Sequence, residues 1–462
     1  MVADYDVIIV GSGPAGIFAA LELAKEGEPR VLILEKGPDV EKRDCFERST
    51  GKCAHCKPCR ITSGWGGAGA FSDGKLTLST EIGGWLGDYV GDDELARLID
   101  YADHIYREFG ATSEVHGTND ENIRQLQSRA LLADMRLIAM KVRHMGTDRS
   151  YDIIKLMRDR LDAHVDIRTG TPVENLLTED GRITGVRTAG GEEITGDYVI
   201  VAPGREGADW LSAEARRLGL SVVSNAVDIG VRVEVPAAVM EPLTKELYEP
   251  KLIYITKSFE DRVRTFCVCP YGVVASEATD GVVTVNGHSY AEKKTENTNF
   301  ALLVSTVFTE PFKEPIAYAK YIARLANLLG DGILVQRLGD LKDGRRSTPE
   351  RIARGTVRPT YGDATPGDLS FVLPYRYLSD IMEMLEALDE LAPGVNSRNT
   401  LLYGVEVKFY SSRLRLTSAL ETEIENLYAI GDGAGVTRGL IQSSASGIVA
   451  ARAILDSIAG RK

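Results

Sequence analysis

The stretch Asp6-Val-Ile-Ile-Val10, followed at once by Gly11-Ser-Gly13-Pro14-Ala15-Gly16 and then by Ile17-Phe-Ala-Ala-Leu-Glu-Leu-Ala-Lys25, restricts the fold more than any other feature of the chain. A fully apolar, β-branched run reads as a buried parallel strand, and the Ala/Leu-rich segment behind the glycines reads as a helix. In a G-x-G-x-x-G turn the first glycine permits the turn, the second lets a diphosphate approach the backbone, and the third lets helix and strand pack closely. Such a motif alone is weak, and an ordinary glycine turn in an α/β protein is the alternative. Here a second strand, Val31-Leu-Ile-Leu34, ends in Glu35, at the spacing expected for an acid that holds a ribose. Strand, turn, helix, strand and acid together predict a dinucleotide-binding α/β domain.

At 462 residues the chain is long enough for two or three domains, and 44% hydrophobic with 26% charged residues is ordinary soluble composition. A formal net charge of −13 offers no electrostatic footprint for nucleic acid or anionic lipid. A small-molecule substrate is therefore expected, with neither nucleic acid nor membrane as partner. The first apolar run has no basic region before it, and no run reaches the ~18 residues of a membrane span, so a cytoplasmic protein is expected. Oligomeric state is not legible.

After Glu35 the pattern breaks into a loop holding Cys53-Ala-His-Cys56-Lys-Pro-Cys59 and Gly64-Trp-Gly66-Gly67-Ala68-Gly-Ala-Phe-Ser-Asp-Gly-Lys75. Glycine this dense implies backbone pressed close to something, most simply the same dinucleotide. Residues 92–109, 121–144 and 148–164 carry helical spacing and predict a helical insertion. A β-meander with turns at Asp180-Gly181 and Gly190-Gly191 is expected to feed a strand ending at Ala202, before Pro203-Gly204. From 226 to 308 the apolar period is two, which predicts a mainly antiparallel second domain. The polar stretch 340–374 reads as a lid or a structured surface loop. A helix over 378–391, a strand over 401–409, a strand over 426–430 and an apolar helix over 440–458 complete the pattern.

Taken together, Gly11 to Gly16, Glu35, Tyr198 to Gly204 and Leu427 to Gly433 resemble the FAD-binding half of the glutathione-reductase-like flavoproteins, in the group with one dinucleotide fold. More narrowly, Gly64 to Lys75, Arg264 to Pro270, Val285 to His288, Asn297 to Phe300 and Val405 to Tyr410 resemble a family of FAD-dependent dehydrogenases of unknown substrate. The resemblance implies an α/β fold: a Rossmann-like FAD-binding domain assembled from N- and C-terminal segments, with a helical insertion and an inserted, mainly antiparallel β (α+β) substrate domain. The expected boundaries are 1–80, 165–210 and 421–462 for FAD binding, 81–164 for the helical insertion and 211–420 for the substrate domain. Expected cofactor contacts are Gly11, Gly13, Pro14, Ala15, Gly16, Glu35, Lys36, Gly66, Gly67, Ala68, Val173, Ala202, Gly204, Gly431, Asp432, Gly439, Ile441 and Gln442. Asp432 at a strand end suits a ribityl or ribose hydroxyl, and free amides near Gly439 to Gln442 suit an electron-rich ring edge.

No second G-x-G-x-x-G follows a strand, so a separate nicotinamide domain is not expected and NAD(P)H as donor is left open. Cys53-x-x-Cys56-x-x-Cys59 resembles the first three ligands of a ferredoxin-type [4Fe–4S] run, with Cys45 as a fourth. The departure is that no cysteine followed by proline comes after Cys59. A redox dithiol, a zinc site (four cysteines, or three with His55) and inert thiols stay open beside the cluster, and a cluster or dithiol implies an electron-carrier protein as a partner. Cys267 and Cys269, two apart in a strand, are expected on one face. With His288, Glu406 and Lys408 they form the candidate catalytic set; Tyr410 shares the face of Glu406 and Lys408. A structural histidine, buried apolar thiols and a solvated polar stripe are the alternatives. Arg345, Arg346 and Arg438 are candidates for an anionic substrate or the flavin edge, and surface arginines are the better reading of the first two. The function expected is hydride transfer between flavin N5 and a small organic substrate, with a flavin monooxygenase or an electron-transfer module as alternatives.

Overall fold

A computed structural model of the chain describes residues 3–25, 27, 29–44, 56–72, 74–223, 227–279, 281–289, 294–306, 308, 312, 315–408 and 413–460. The chain divides into two compact units: Met1–Glu114 with Arg143–Asn225 and Ser411–Lys462, and Val115–Val142 with Ala226–Tyr410.

The first unit is a Rossmann-like α/β fold. Strand Tyr5–Val10 lies between Val31–Glu35 and Glu193–Val201, parallel to both, with Asp166–Thr169 beyond Val31–Glu35. Leu427–Ala429 is parallel to the upper part of Glu193–Val201. The lower part of that long strand pairs instead with Arg182–Thr188, which pairs with Val173–Glu179; these three strands are the expected meander. Val7, Ile8 and Ile9 have no exposure, as a strand covered on both faces requires. Helix Pro14–Leu23 starts with proline at its first turn, where the missing N–H costs no hydrogen bond. It packs on helix Leu440–Gly460, and a Cβ placed on Gly447 would stand 2.1 Å from the Ala15 carbonyl oxygen. Only glycine allows that approach.

The second unit is built on an eight-stranded sheet whose central strand, Val227–Pro236, lies antiparallel to both Asn297–Thr306 and Leu401–Lys408. Val227, Ile229, Val231, Val233 and Val235 face one apolar core with helices Pro315–Gly330 and Tyr375–Asp389. Over the other face lies the hairpin of Val273–Thr279 and Val282–His288.

One expectation needs correction. The helix expected over 121–144 ends at Leu132, and the chain returns as strand Met135–Ile138, paired with Lys251–Ile255 in the second sheet. Residues 115–142 accordingly group with the second unit, so the region expected as one helical insertion is divided. Of the two readings of 340–374, the structure agrees with the structured one: the stretch holds helices Leu338–Lys342 and Pro349–Ala353, and buried Asp340 accepts from Ser347 Oγ at 2.8 Å and Arg345 Nε at 3.0 Å. Among the described residues no helix is long and apolar enough to cross a membrane.

Helix Tyr375–Asp389 buries one carboxyl, Asp380, completely. Burial, and then the neighbouring Asp261 carboxyl, push Asp380 up to about 6. Arg376 holds Asp261 below the usual range, so Asp380 is the member of the pair that takes the proton. A folded pKa above the unfolded one gives stability that is full below the unfolded value and is lost as pH rises through about 6. Asp380→Asn is therefore expected to unfold in urea with about 2 kcal/mol more stability than the parent at pH 7.5. The difference should shrink as pH falls from 6 towards 4; an unchanged difference across that range would contradict the assignment.

Candidate functional site

The first unit gathers the glycine turn, the glycine-rich loop and the Leu427–Ala429 strand end at the same edge of its sheet. Gly11 takes φ +104, and a Cβ there would stand 2.3 Å from the Ala202 carbonyl oxygen. A Cβ on Gly16 would meet the Gly11 oxygen at 2.0 Å. Gly13 is different. Its φ of −71 suits any residue, and a Cβ there would meet nothing within 4 Å. The protein needs glycine at 11 and 16 for its own packing, whereas at 13 glycine keeps clear a space outside the protein. That space faces the start of helix Pro14–Leu23, which no side chain caps. Its first-turn amides are thus available to an anion.

The loop closes on this turn as expected. Gly66 N–H donates to the Ser12 carbonyl at 2.8 Å, and a Cβ on Gly67 would lie 3.2 Å from Gly13 Cα. Ala68 is exposed in the short 3₁₀ turn Gly67–Phe71. Arg43, which sequence reasoning did not single out, holds the loop: its guanidinium donates to the carbonyls of Arg60 (2.8 Å), Trp65 (2.7 Å), Gly67 (2.8 Å) and Ile61. Nothing in its local sequence separates it from a surface arginine.

Glu35 is nearly buried, and it does more than end a strand. One oxygen accepts from Ser12 N–H (3.0 Å) and Oγ (2.8 Å), the other from Gly37 N–H (2.8 Å) and Gly64 N–H (3.0 Å). In this structure the carboxylate fastens the turn and the loop together. Thr171 N–H reaches the Glu35 carbonyl at 2.8 Å, which brings Val173 to the same corner, while Lys36 Nζ lies 3.7 Å from Glu206.

Ala202 N–H donates to Val10 at 2.7 Å, and Ile430 N–H to Val201 at 3.0 Å, so the strand ends before Gly204 and Gly431 adjoin the turn. Gly431 N–H is held by Ser446 Oγ at 3.1 Å. Asp432 accepts from Thr437 Oγ1 (2.9 Å) and Gly439 N–H (3.3 Å), with Arg205 Nε 3.9 Å away. Burial pushes its carboxyl above the ordinary aspartate range in spite of these partners. Ile441 and Gln442 are buried at the start of helix Leu440–Gly460. Gln442 donates to Ile82 at 3.1 Å and Ser79 at 3.4 Å, while its buried Oε1 has no hydrogen-bond partner among the described residues. Uncapped amides, a cleared space at Gly13 and an unsatisfied acceptor at Gln442 fit a phosphate-containing dinucleotide.

In the second unit the polar face of Val227–Pro236 is not solvated. Arg232, Glu234 and Glu406 have no exposure. Arg232 makes a two-pronged pair with Glu406 (2.7 and 2.8 Å) and donates to Asn299 Oδ1 (2.8 Å) and the Cys267 carbonyl (3.1 Å). Lys408 Nζ lies 3.2 Å from Glu406, and Cys269 Sγ 4.0 Å from Arg232 Nη1. Tyr403 OH donates to Glu234 at 2.5 Å. The network thus brings together Cys267, Cys269, Glu406 and Lys408, whereas His288 is exposed at the end of the covering hairpin, outside it. The alternative of a solvated polar stripe at Glu406 and Lys408 is overturned by the hairpin, whose Gly287 leaves no room for a Cβ above Arg232 (2.3 Å to Nη1). Phe409 and Tyr410 lie outside the described residues. Arg345 is tied to Asp340 and Asp343, both at 3.0 Å, and Arg438 stacks 4.1 Å over Trp85. Cys45 and Cys53 lie outside the described residues, and Cys56 and Cys59 are half-buried. Among the described residues no group of three or more His, Cys, Asp or Glu is placed to hold a metal.

The profile of the family described as "FAD dependent oxidoreductase" matches residues 6–300. The chain belongs to that family. A second profile, "FAD-dependent protein, C-terminal domain-like", matches residues 226–409 of this FAD-dependent oxidoreductase. An uncharacterized protein of Clostridium beijerinckii is 30% identical over 480 residues, covering 97% of this chain and 80% of that protein. Protein FixC of Escherichia coli (strain K12) is 25% identical over 249 residues, 51% of this chain and 45% of FixC. Among solved structures, formate oxidase of Aspergillus oryzae RIB40 superposes with a TM-score of 0.45 at 13% identity over the whole of both chains.

The two glycines separate by experiment. Gly13→Val is expected to leave the melting temperature of the flavin-free protein unchanged and to weaken FAD retention by at least ~1.4 kcal/mol, tenfold, in an equilibrium titration. Gly16→Ala should destabilise the flavin-free protein by about 1–3 kcal/mol or more, because the clash is with backbone. In the second unit, Arg232→Met leaves Glu406 buried without its main counter-charge and should cost about 3–5 kcal/mol in urea unfolding. Arg232→Met with Glu406→Leu should recover much of that loss.

Proposed function

We propose that this FAD-dependent oxidoreductase is a dehydrogenase or reductase that moves a hydride between flavin N5 and a small organic substrate. The observation that carries the reading is the space kept clear at Gly13 in front of an uncapped helix, in a chain of this family. For the narrower reading, a group of FAD-dependent dehydrogenases of unknown substrate, the match over 226–409 to the C-terminal domain of an FAD-dependent protein speaks in favour, while a place among the glutathione-reductase-like flavoproteins rests on the resemblance at Gly11 to Gly16, Glu35, Tyr198 to Gly204 and Leu427 to Gly433.

When bound, FAD supplies the hydride-accepting and hydride-donating chemistry. The chain supplies position and polarity. The amides that follow Gly13 take the diphosphate, and Arg43 and Glu35 keep the loop folded over it. The Asp432 carboxyl, which accepts from Thr437 Oγ1 and Gly439 N–H, stands at the strand end as an acceptor for a sugar hydroxyl. Amides at Gly439 to Gln442 favour electron density on the ring edge that faces them. Cys267, Cys269, His288, Glu406 and Lys408 are the proposed set from which a proton donor or acceptor for the substrate is drawn.

One anaerobic preparation tests the reading. Denaturation is expected to release about one flavin per chain, and the bound flavin should be bleached by dithionite and by a substrate from a panel that includes NADH and NADPH. A colourless protein that also fails to retain added FAD would overturn the assignment. Iron and acid-labile sulfide measured on the same material test the proposed cluster at Cys45, Cys53, Cys56 and Cys59.

A further inference from the structure

The strand Arg262–Cys269 runs in regular antiparallel register with Asn297–Thr306 up to Phe266, opposite Ala301; Cys269 then stands opposite Asn299. One extra residue has been inserted, and the strand bulges there. Within the bulge Cys267 adopts φ +45, a left-handed conformation that a side-chain-bearing residue enters only under constraint. The consequence is chemical. The bulge turns the two side chains towards each other, and their Sγ atoms stand 3.9 Å apart. Side-chain rotation closes such a separation to a bond.

The two sulfurs have unequal surroundings. Cys267 is half-buried and Cys269 is only 1% exposed. Arg232 fixes the bulge by donating to the Cys267 carbonyl at 3.1 Å, and its guanidinium lies 4.0 Å from Cys269 Sγ. Lys408 is shared between Glu406 at 3.2 Å and Glu277 at 3.8 Å, so the charge that faces Cys269 Sγ is the Arg232 guanidinium. Positive charge beside a thiol favours the thiolate, which is the nucleophile. A reachable sulfur, a sheltered one at contact distance, and a cation between backbone and thiol are what a dithiol needs to act in two steps.

We propose that Cys267 and Cys269 are a redox dithiol that reduces low-molecular-weight organic disulfides. The Cys267 thiolate attacks one sulfur of R–S–S–R; the S–S bond breaks and one RS⁻ leaves, taking up the proton Cys267 released. The Cys269 thiolate then attacks Cys267 Sγ; the mixed disulfide breaks, the second RS⁻ leaves and takes up the proton from Cys269. Two electrons and two protons pass to the substrate, giving two thiols and a Cys267–Cys269 disulfide. The half-reaction uses no flavin, so its outcome is independent of the proposed flavin chemistry.

The test treats the native, full-length protein with oxidised glutathione, quenches with an alkylating agent and maps tryptic peptides. The peptide beginning at Thr265 contains Cys267 and Cys269 and no other cysteine of the chain. In the parent protein it should be recovered with an internal disulfide that dithiothreitol reverses. Cys269→Ser should trap glutathione on Cys267, and Cys267→Ser should leave Cys269 without an adduct. The proposal is overturned if the parent peptide is recovered with both thiols alkylated, or if it carries glutathione without an internal disulfide. The parent measurement decides the matter even where a variant does not fold.

Discussion

Backbone meets backbone where the helix Pro14–Leu23 crosses the helix Leu440–Gly460, and the first unit depends on that meeting. The Gly447 Cα hydrogen takes the place in which any side chain would overlap the Ala15 carbonyl. A similar approach joins Gly433 to the Gly204 carbonyl, where a Cβ would stand at 2.3 Å. Gly447 and Ala15, more than four hundred residues apart in sequence, and Gly433 and Gly204 are thereby held in contact around the turn at Gly11 to Gly16. Rigid main-chain groups suit a diphosphate and a ring edge, because they hold their dipoles in place without the entropy loss of ordering long side chains.

The second unit solves a different problem. Its central strand carries polar residues on one face, and these are sealed rather than solvated. Under the hairpin Arg232 pairs with Glu406 and donates to Asn299 Oδ1, and Lys408 lies beside Glu406, with Glu234 held separately by Tyr403, Thr360 and Asn297. Such a layer adds little net stability over an apolar one, since desolvation offsets most of the ionic attraction. It fixes geometry: Arg232 specifies where the Cys267 carbonyl sits and so where the strand bulges.

What the sequence disclosed follows from the range of the forces involved. The glycine turn, its flanking strand and helix, and the meander are local patterns, and they were legible residue by residue. The helix ending at Leu132 was not, because the reversal uses Asp134 at φ +56, where a glycine would have given a stop signal. Alternation in Val227–Pro236 announced a strand with a polar face but could not tell water from a covering hairpin; the two environments demand the same period. The pairing of Arg232 with Glu406 spans 174 residues, and no local signal reports it. Arg43 escaped for the same reason, as its partners are backbone carbonyls with no sequence signature.

The closure of the sheet edge by Leu427–Ala429 also sets an order of events during synthesis. While the polypeptide is still emerging from the ribosome, Glu193–Val201 has Tyr5–Val10 on one side and Arg182–Thr188 along its first residues on the other, which leaves Val199–Val201 with an open edge. That stretch is covered only when Leu427–Ala429 has left the exit tunnel. Until then the nascent chain offers a template for wrong pairing.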